Sequence, residues 1–389
     1  MLKTFLIFIF IFLSGILQAK IYKINSQADY NKIRSIVRAG DEVLISKGFY
    51  KGWNIDIDLI GTERKPIIIR GEGSQTIFSG DVNSTTFKIS GAFIVLKDIR
   101  FEENNLISQK GQSTALIELN ASNQVSIKNC SFIRNRVSTQ FTPLVIISGY
   151  AKNNTISKCL FRSNIDSQDV QVKIANGQNP ENTTIERNLF IDKPKVTWKN
   201  GNGGECVQIG QDPVLLGNLA GSTLVFKNRF IHCDGENEVI SNKSSGNKFI
   251  RNFFEQNDGE LVMRGGNDCL IERNKFSGGT GGIRVNGTGH VIRDNKIRGI
   301  KNAIRLMYGM AAGGNETGFY IAAGNIVITG NQISNAETGI LIGDSKNVDW
   351  TGKFDLKRYP SRVIQDVPPS QIQILNNSFR QVQFKVITR

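Results

Sequence analysis

Histidine is nearly missing from this 389-residue chain, which holds only His232 and His290. That excludes a histidine-rich metal centre, and any bound metal is expected to be a hard cation on oxygen ligands. Cysteine is scarce too. Cys130, Cys159, Cys206, Cys233 and Cys269 are odd in number and lack CxxC spacing, so neither a complete disulfide framework nor a zinc knuckle is indicated. Proline is scarce as well, and three of the eight fall in one long loop, LKRYPSRVIQDVPPS (356–370). Long apolar runs are absent apart from Phe5 to about Leu13, which falls short of the roughly 20 residues of a membrane span. With Lys3 before it and small and polar residues after it, that run has the layout of a secretory signal peptide. Residues 1–19 are therefore expected to be a leader cleaved after Ala19, and residues 20–389 a single exported domain, periplasmic or secreted. Leu17 sits where a smaller residue is usual, which leaves an uncleaved anchor as the alternative. Acidic residues are outnumbered, and the net charge of +14 suits a polyanionic partner such as nucleic acid, an anionic membrane or an acidic polysaccharide. An exported protein mostly meets the last of these.

What the chain does have is a repeat. An apolar residue is followed three positions later by Asn or Cys, and two further on by an apolar residue, often Phe. Examples are IKNCSF (127–132), ISKCLF (156–161), IERNLF (185–190), FIRNFF (249–254), IERNKF (271–276) and ILNNSF (374–379). The intervals between the Asn-or-Cys positions range from 21 to 46 residues, and the units are β-branched and aromatic runs broken by Gly, Asn and Asp. Coils of that kind predict an all-β, right-handed parallel β-helix, a solenoid with loops inserted in the longer coils. Asn at one position of successive coils then stacks as an internal amide ladder, and Cys130 and Cys159, at the same position, read as buried structural thiols. The Phe residues read as a core stack. SQADYNKIRSIV (26–37) has helical spacing with Ser26 as N-cap, a short N-terminal helix capping the open end of the solenoid.

Coil arithmetic then brings particular residues together. Parallel coils stack about 4.8 Å apart, so residues one coil apart in sequence are neighbours. Lys243 and Arg264 differ by 21 residues where the local coil is 22, which places them on adjacent coils. Glu236 and Glu238, two apart on a strand, point the same way. Strict alternation turns Lys243 to the opposite side from Glu238, so a bend at Ser241–Asn242 is required for the lysine to join them. About one coil earlier the Gly-rich loop KNGNGGECVQIG (199–210) offers Asn202 and Glu205. Amide and carboxylate oxygens together suit Ca2+; the plain alternative is a solvated acidic edge neutralised by lysines.

The run ENEVISNKSSGN followed one coil on by ELVMRGGN resembles the catalytic signature of polysaccharide lyase family 6, whose members include alginate lyases and chondroitinase B. The resemblance extends from about Ile21, through AGDEVLISKGFYKG and GTERKPIIIRGEG, to the last coils, and is most specific over 202–290. It implies a parallel β-helix enzyme in which Asn202, Glu236 and Glu238 hold Ca2+, Lys243 is the Brønsted base, and Arg264 is the Brønsted acid or its organiser. Arg284, in GGIRVNGTGH, matches an arginine used by alginate-cleaving members. Glu205 and, in AIRLMYG, Arg305 and Tyr308 are further candidates for contact with an acidic sugar. Gly265 departs from the family, many members of which carry histidine after the catalytic arginine.

The chemistry suits these residue types independently. β-Elimination from a uronate needs a base for the C5 proton and positive charge for the carboxylate beside it. Lysine serves as that base when nearby cations lower its pKa. Arginine stays charged and stabilises the departing O4. Three other readings stand beside an alginate lyase: a lyase for dermatan sulfate, a non-catalytic polysaccharide-binding β-helix, and a β-helix glycoside hydrolase using Glu236 and Glu238 as its carboxylate pair.

Overall fold

The computed structural model describes residues 19–108, 114–175, 177–211, 219–313, 319–353 and 362–389. Apart from Ala19, the expected leader lies outside these, as do residues 356–361 of the proline-bearing loop. No helix among the described residues is long and apolar enough to cross a membrane.

The chain is a parallel β-helix. Every pairing between its strands is parallel, and each strand pairs with its counterpart one coil away. A representative coil runs through Lys248–Ile250, Phe253–Asn257 and Glu260–Met263. The first of these belongs to a sheet that climbs the solenoid from Ile21–Ile24 to Ser370–Leu375; the other two belong to a larger sheet. The N-terminal helix spans Gln27–Ile33, Ser26 accepts from the Asp29 N–H, and Tyr30 is buried beneath it, so the expected cap is in place.

Repetition in sequence becomes stacking in space. Phe101, Phe132, Phe161, Phe190, Phe230, Phe254 and Phe276 form a column of near-parallel rings with centroids 4.5–5.1 Å apart. Such pairs contribute about 0.5–1.5 kcal/mol each beyond the area they bury. Beside them runs the amide ladder, in which the Asn188 side-chain amide donates to Asn228, Asn228 to Asn252, Asn252 to Asn274, Asn274 to Asn295, Asn295 to Asn331 and Asn331 to Asn377, at 2.9–3.1 Å. Each oxygen also takes a backbone N–H from the coil before, as Asn274 does from Asn252. This network holds the corner residue just before each rung in the left-handed region: Lys158, Arg187, Lys227, Arg251 and Arg273 have φ of 54–56°. Non-glycine residues adopt that conformation at a cost of about 1–2 kcal/mol, and the rung bonds offset it. A left-handed corner turns the chain sharply, and its side chain is thrown outward.

All five cysteines are buried free thiols. Cys130 and Cys159 occupy the rung position, as expected, with the Cys159 N–H donating to Asn188.

Candidate active site

The site forms where the strand Glu238–Asn242 leaves the larger sheet. This strand pairs with Val207–Ile209 on one side and Glu260–Met263 on the other. Glu238 lies opposite Glu260 and Ile240 opposite Leu261, so Val239 is an extra residue, a β-bulge. The bulge restores the parity that lets Glu238 and Lys243 share a face. It does so at Val239 rather than at the predicted Ser241–Asn242 bend, and a bulge of this kind re-aims a side chain by one position. Asn242 is anchored inward, donating to Ser244 O at 2.9 Å and accepting from Asn247 at 2.8 Å, and the chain turns outward at Lys243.

Two glycines bring the acids together. A Cβ on Gly235 would lie 2.2 Å from Gly204 O, and one on Gly204 would lie 2.6 Å from the Gly235 carbonyl carbon. Only glycines let these loops pass so closely, and each is followed directly by an acid, Glu205 and Glu236. The Gly203 and Gly204 N–H groups donate to Glu236, while Gln168 donates to Glu205 at 2.9 Å. Glu205, Glu236 and Glu238 are all buried, each offering a carboxylate oxygen within 4.8 Å of the others.

Such a cluster strains its own ionisation. Burial, then repulsion from Glu205 and Glu238, pushes the Glu236 carboxyl up to about 9. Burial also opposes ionisation of Glu238, but Arg284, Arg264 and Lys243 outweigh it and hold that carboxyl below the usual range. Lys243 is pulled down, first by burial and then by Arg264, against the opposing field of the three glutamates. Arg264 remains firmly charged: burial works against it, yet Tyr320 and the glutamates raise its pKa. Glu238 Oε2 and Ser241 Oγ are buried without a hydrogen-bond partner among the described residues. A buried carboxylate oxygen left unpaired costs on the order of 1–3 kcal/mol or more. It is the feature expected where a cation completes the coordination, and a set of three carboxylates fits a hard divalent ion.

The geometry is thus a lysine of lowered pKa and a charged arginine facing an acidic pocket, on a parallel β-helix. The sequence pattern of the chondroitinase B family matches residues 24–387. The chain belongs to polysaccharide lyase family 6, the chondroitinase B family. Solved structures of similar fold include a mannuronic acid-specific family 6 lyase from human gut microbiota, 24% identical with a TM-score of 0.72, covering 95% of this chain and 82% of its own. The family 6 polysaccharide lyase of Pseudopedobacter saltans is 20% identical with a TM-score of 0.68, covering 94% and 92%. The alginate lyase AlyGC is 20% identical with a TM-score of 0.69; 95% of this chain aligns, spanning 53% of that protein. No curated protein sequence matches the chain.

In this polysaccharide lyase the other predicted residues are placed as follows. Asn202 is exposed on the Gly-rich loop, where its carbonyl accepts from Gln140 at 2.9 Å. The third buried carboxylate is Glu205, which was expected at the sugar. Arg284 bonds Glu238 and approaches Glu260 at 3.8 Å, while Arg305 bonds both oxygens of Glu260 and reaches Asp344 at 2.7 Å. Both arginines line one cavity of about 290 Å³. Tyr308 does not join them: it is buried, and its hydroxyl is directed to the Arg389 carbonyl, so its expected sugar contact is replaced by packing. His290 is buried, accepting from the Cys269 N–H at 3.1 Å, and His232 is exposed beside Asp192.

The residues that sequence reasoning missed sit over Arg264. Tyr320 accepts from its guanidinium at 3.3 Å, and the Phe319 and Tyr320 rings lie 5.2 and 5.6 Å from it. Tyr320 follows Arg264 by 56 residues across a long insertion, an interval that no coil length predicts.

Proposed function

We propose that this lyase cleaves alginate by β-elimination, with Asn202 and the glutamates Glu205, Glu236 and Glu238 available to hold Ca2+. The observation that carries the reading is the meeting of Lys243, its pKa lowered, with Arg264 and the carboxylate cluster. When bound there, Ca2+ supplies Lewis acidity toward the carboxylate of the uronate. Lys243, neutral on its Nζ, takes the C5 proton. The electrons form the C4–C5 double bond as the bond to O4 breaks, and water protonates the departing oxygen. Arg264 keeps its charge throughout and stabilises the developing negative charge at O4. Tyr320 fixes that guanidinium, which lowers the entropy lost on reaching the transition state.

Alginate carries a carboxylate on every sugar, and Lys243 and Arg264, on adjacent coils, offer cations to meet them, while Arg284 and Arg305 are paired with Glu238 and Glu260 beside the site. The named specificities of the mannuronic acid lyase and of AlyGC support the same choice. A dermatan sulfate lyase is the second reading, favoured by the family that the chain matches. The N-terminal apolar run supports export of the protein to the periplasm or medium, where such polymers are met. Incubation with alginate and with dermatan sulfate in parallel, followed by ultraviolet absorbance and product mass, decides between the substrates. Unsaturated product from dermatan sulfate and none from alginate would overturn the substrate while leaving the chemistry standing.

A further inference from the structure

A second cationic feature lies at a different corner of the coil. The candidate active site sits after the third strand of each coil, at Lys243 and Arg264. A groove of about 720 Å³ instead follows the left-handed corner between the first and second strands, and shares no lining residue with the site. Two outward columns flank the buried Asn ladder there. The column before the rungs carries Lys227, Arg251 and Arg273; the column after them carries Arg229, Phe253, Lys275 and Lys296.

The groove is unusual in its charge. All six cations are exposed, and among the described residues only Arg273 is in an ion pair, at 3.0 Å from Glu272 and 3.9 Å from Asp294. Lys275 and Lys296 stand directly opposite each other in neighbouring strands, an arrangement of like charges that destabilises a sheet. Lys227, Arg251 and Arg273 repeat once per coil, about 4.8 Å apart. Phe253 is half-buried within the second column, with the Arg229 guanidinium 5.7 Å from its ring. A line of cations, all but Arg273 without an acidic partner among the described residues, with an apolar ring along it suits a linear polyanion that also offers apolar faces.

We infer that this groove is a second, non-catalytic binding site for an acidic polysaccharide, holding a polyuronate chain away from the point of cleavage. The inference rests on the polyuronate reading of the substrate. One pyranose ring is comparable in length to one coil step, so each successive carboxylate meets a new rung of cations, and the ring face of one sugar lies over Phe253. Tethering the polymer here raises its effective concentration at the active site by linkage of two binding events. Short oligosaccharides cannot bridge the two corners and gain nothing.

The test uses the full chain with Arg251→Glu and Lys275→Glu together; both side chains are exposed, and an unchanged melting temperature checks the fold. Binding is measured on the Lys243→Ala background, which prevents turnover, with alginate polymer as the probe. The inference expects at least a tenfold loss of polymer affinity from the double substitution. With Lys243 intact, it expects a several-fold rise in KM for polymer, with kcat/KM for a trisaccharide unchanged. Persistence of groove-dependent binding in a protein that cleaves no polyuronate would sink the proposed activity and keep the groove. Unchanged polymer affinity and KM would overturn the groove itself, as would equally tight, groove-dependent binding of single-stranded DNA.

Discussion

The carboxylate cluster predicts a substitution whose effect on stability reverses sign with calcium. Glu205, Glu236 and Glu238 hold carboxylate oxygens within 4.8 Å of one another. At that separation two unit charges repel by about 3.5 kcal/mol at an effective dielectric of 20. Arg284, Arg264 and Lys243 compensate Glu238, and Glu236 escapes by retaining its proton, so part of the repulsion remains on Glu205. Glu205→Gln removes that charge and keeps an oxygen to accept from Gln168. In chelator the variant is expected to be more stable than the parent, by on the order of 1–3 kcal/mol. With calcium the order changes. The parent gains about 2.7 kcal/mol when calcium reaches 100 times its Kd, whereas the variant, one charged ligand short, gains far less at the same concentration. Thermal or urea denaturation of both proteins, in chelator and over a calcium series, measures the four stabilities. A variant less stable than the parent in chelator, yet equally stabilised by calcium, would refute both the strain in the cluster and the ligand role of Glu205.

Lys243→Ala and Arg264→Ala are each expected to lower turnover of alginate by about 10²- to 10⁴-fold in a protein that remains folded; a folded variant of near-parental rate would remove that residue from the mechanism. Arg284→Ala is expected to weaken calcium binding as well as raise KM, because it strips Glu238 of its guanidinium partner; calcium titration beside steady-state kinetics separates the two effects. His290 is held down to about 4 by burial, against 6.5 when unfolded. Between those pH values the unfolded chain binds the extra proton, so stability falls as pH drops from about 6.5 to 4, by about 3 kcal/mol, and His290→Asn is expected to flatten that slope in urea titrations.

The last substitution is chosen by the fold itself. Asn154 and Asn247 stand just before strands of the sheet that climbs from Ile21–Ile24 to Ser370–Leu375, where they accept the N–H of Val125 and Thr223. His290 does the same for Cys269, two coils beyond Asn247. A side-chain oxygen of asparagine therefore reproduces the bond without a titrating ring.

What the sequence made legible were features that repeat at the coil length. The rungs from Asn188 to Asn377 could be aligned because each is pinned by the backbone of the coil before, so its register leaves a regular mark. Lys243 and Arg264 were paired by the same arithmetic, 21 residues against a coil of 22. Features set by inserted or extra residues left no such mark. The bulge at Val239 lies inside an ordinary β-branched run, and the bend was placed two residues late. The coil between Asn188 and Asn228 is 40 residues long, so interval arithmetic could bring its Gly-rich loop to the acids without telling whether Asn202 or Glu205 turned inward. Tyr320 arrives over Arg264 through the insertion between Asn295 and Asn331. Arg284 was read as a free cation facing sugar because its acidic partners are one and two coils away, at Glu260 and Glu238, and ion pairing across coils has no signature along the chain.

The same construction explains why such an unfavourable site is tolerated. Three buried carboxylates and an orphaned oxygen are costly together, and a marginal framework would relax by swinging the loops apart. Here each acid is fixed from beneath by elements that do not depend on it. Gly204 and Gly235 lock the two loops by backbone contact, the bulged strand is held on both sides by parallel neighbours, and Asn242 and Asn247 clamp the turn that presents Lys243. The Phe column and the amide ladder continue through these coils without interruption, from Phe190 to Phe276 and from Asn188 to Asn295. Stability is therefore supplied along the axis by stacked repeats, and chemistry is placed at corners, where an outward residue can change without disturbing a rung. That separation allows one corner to carry cleavage and another to carry a line of cations, each on a side chain adjoining the same ladder-bearing coils.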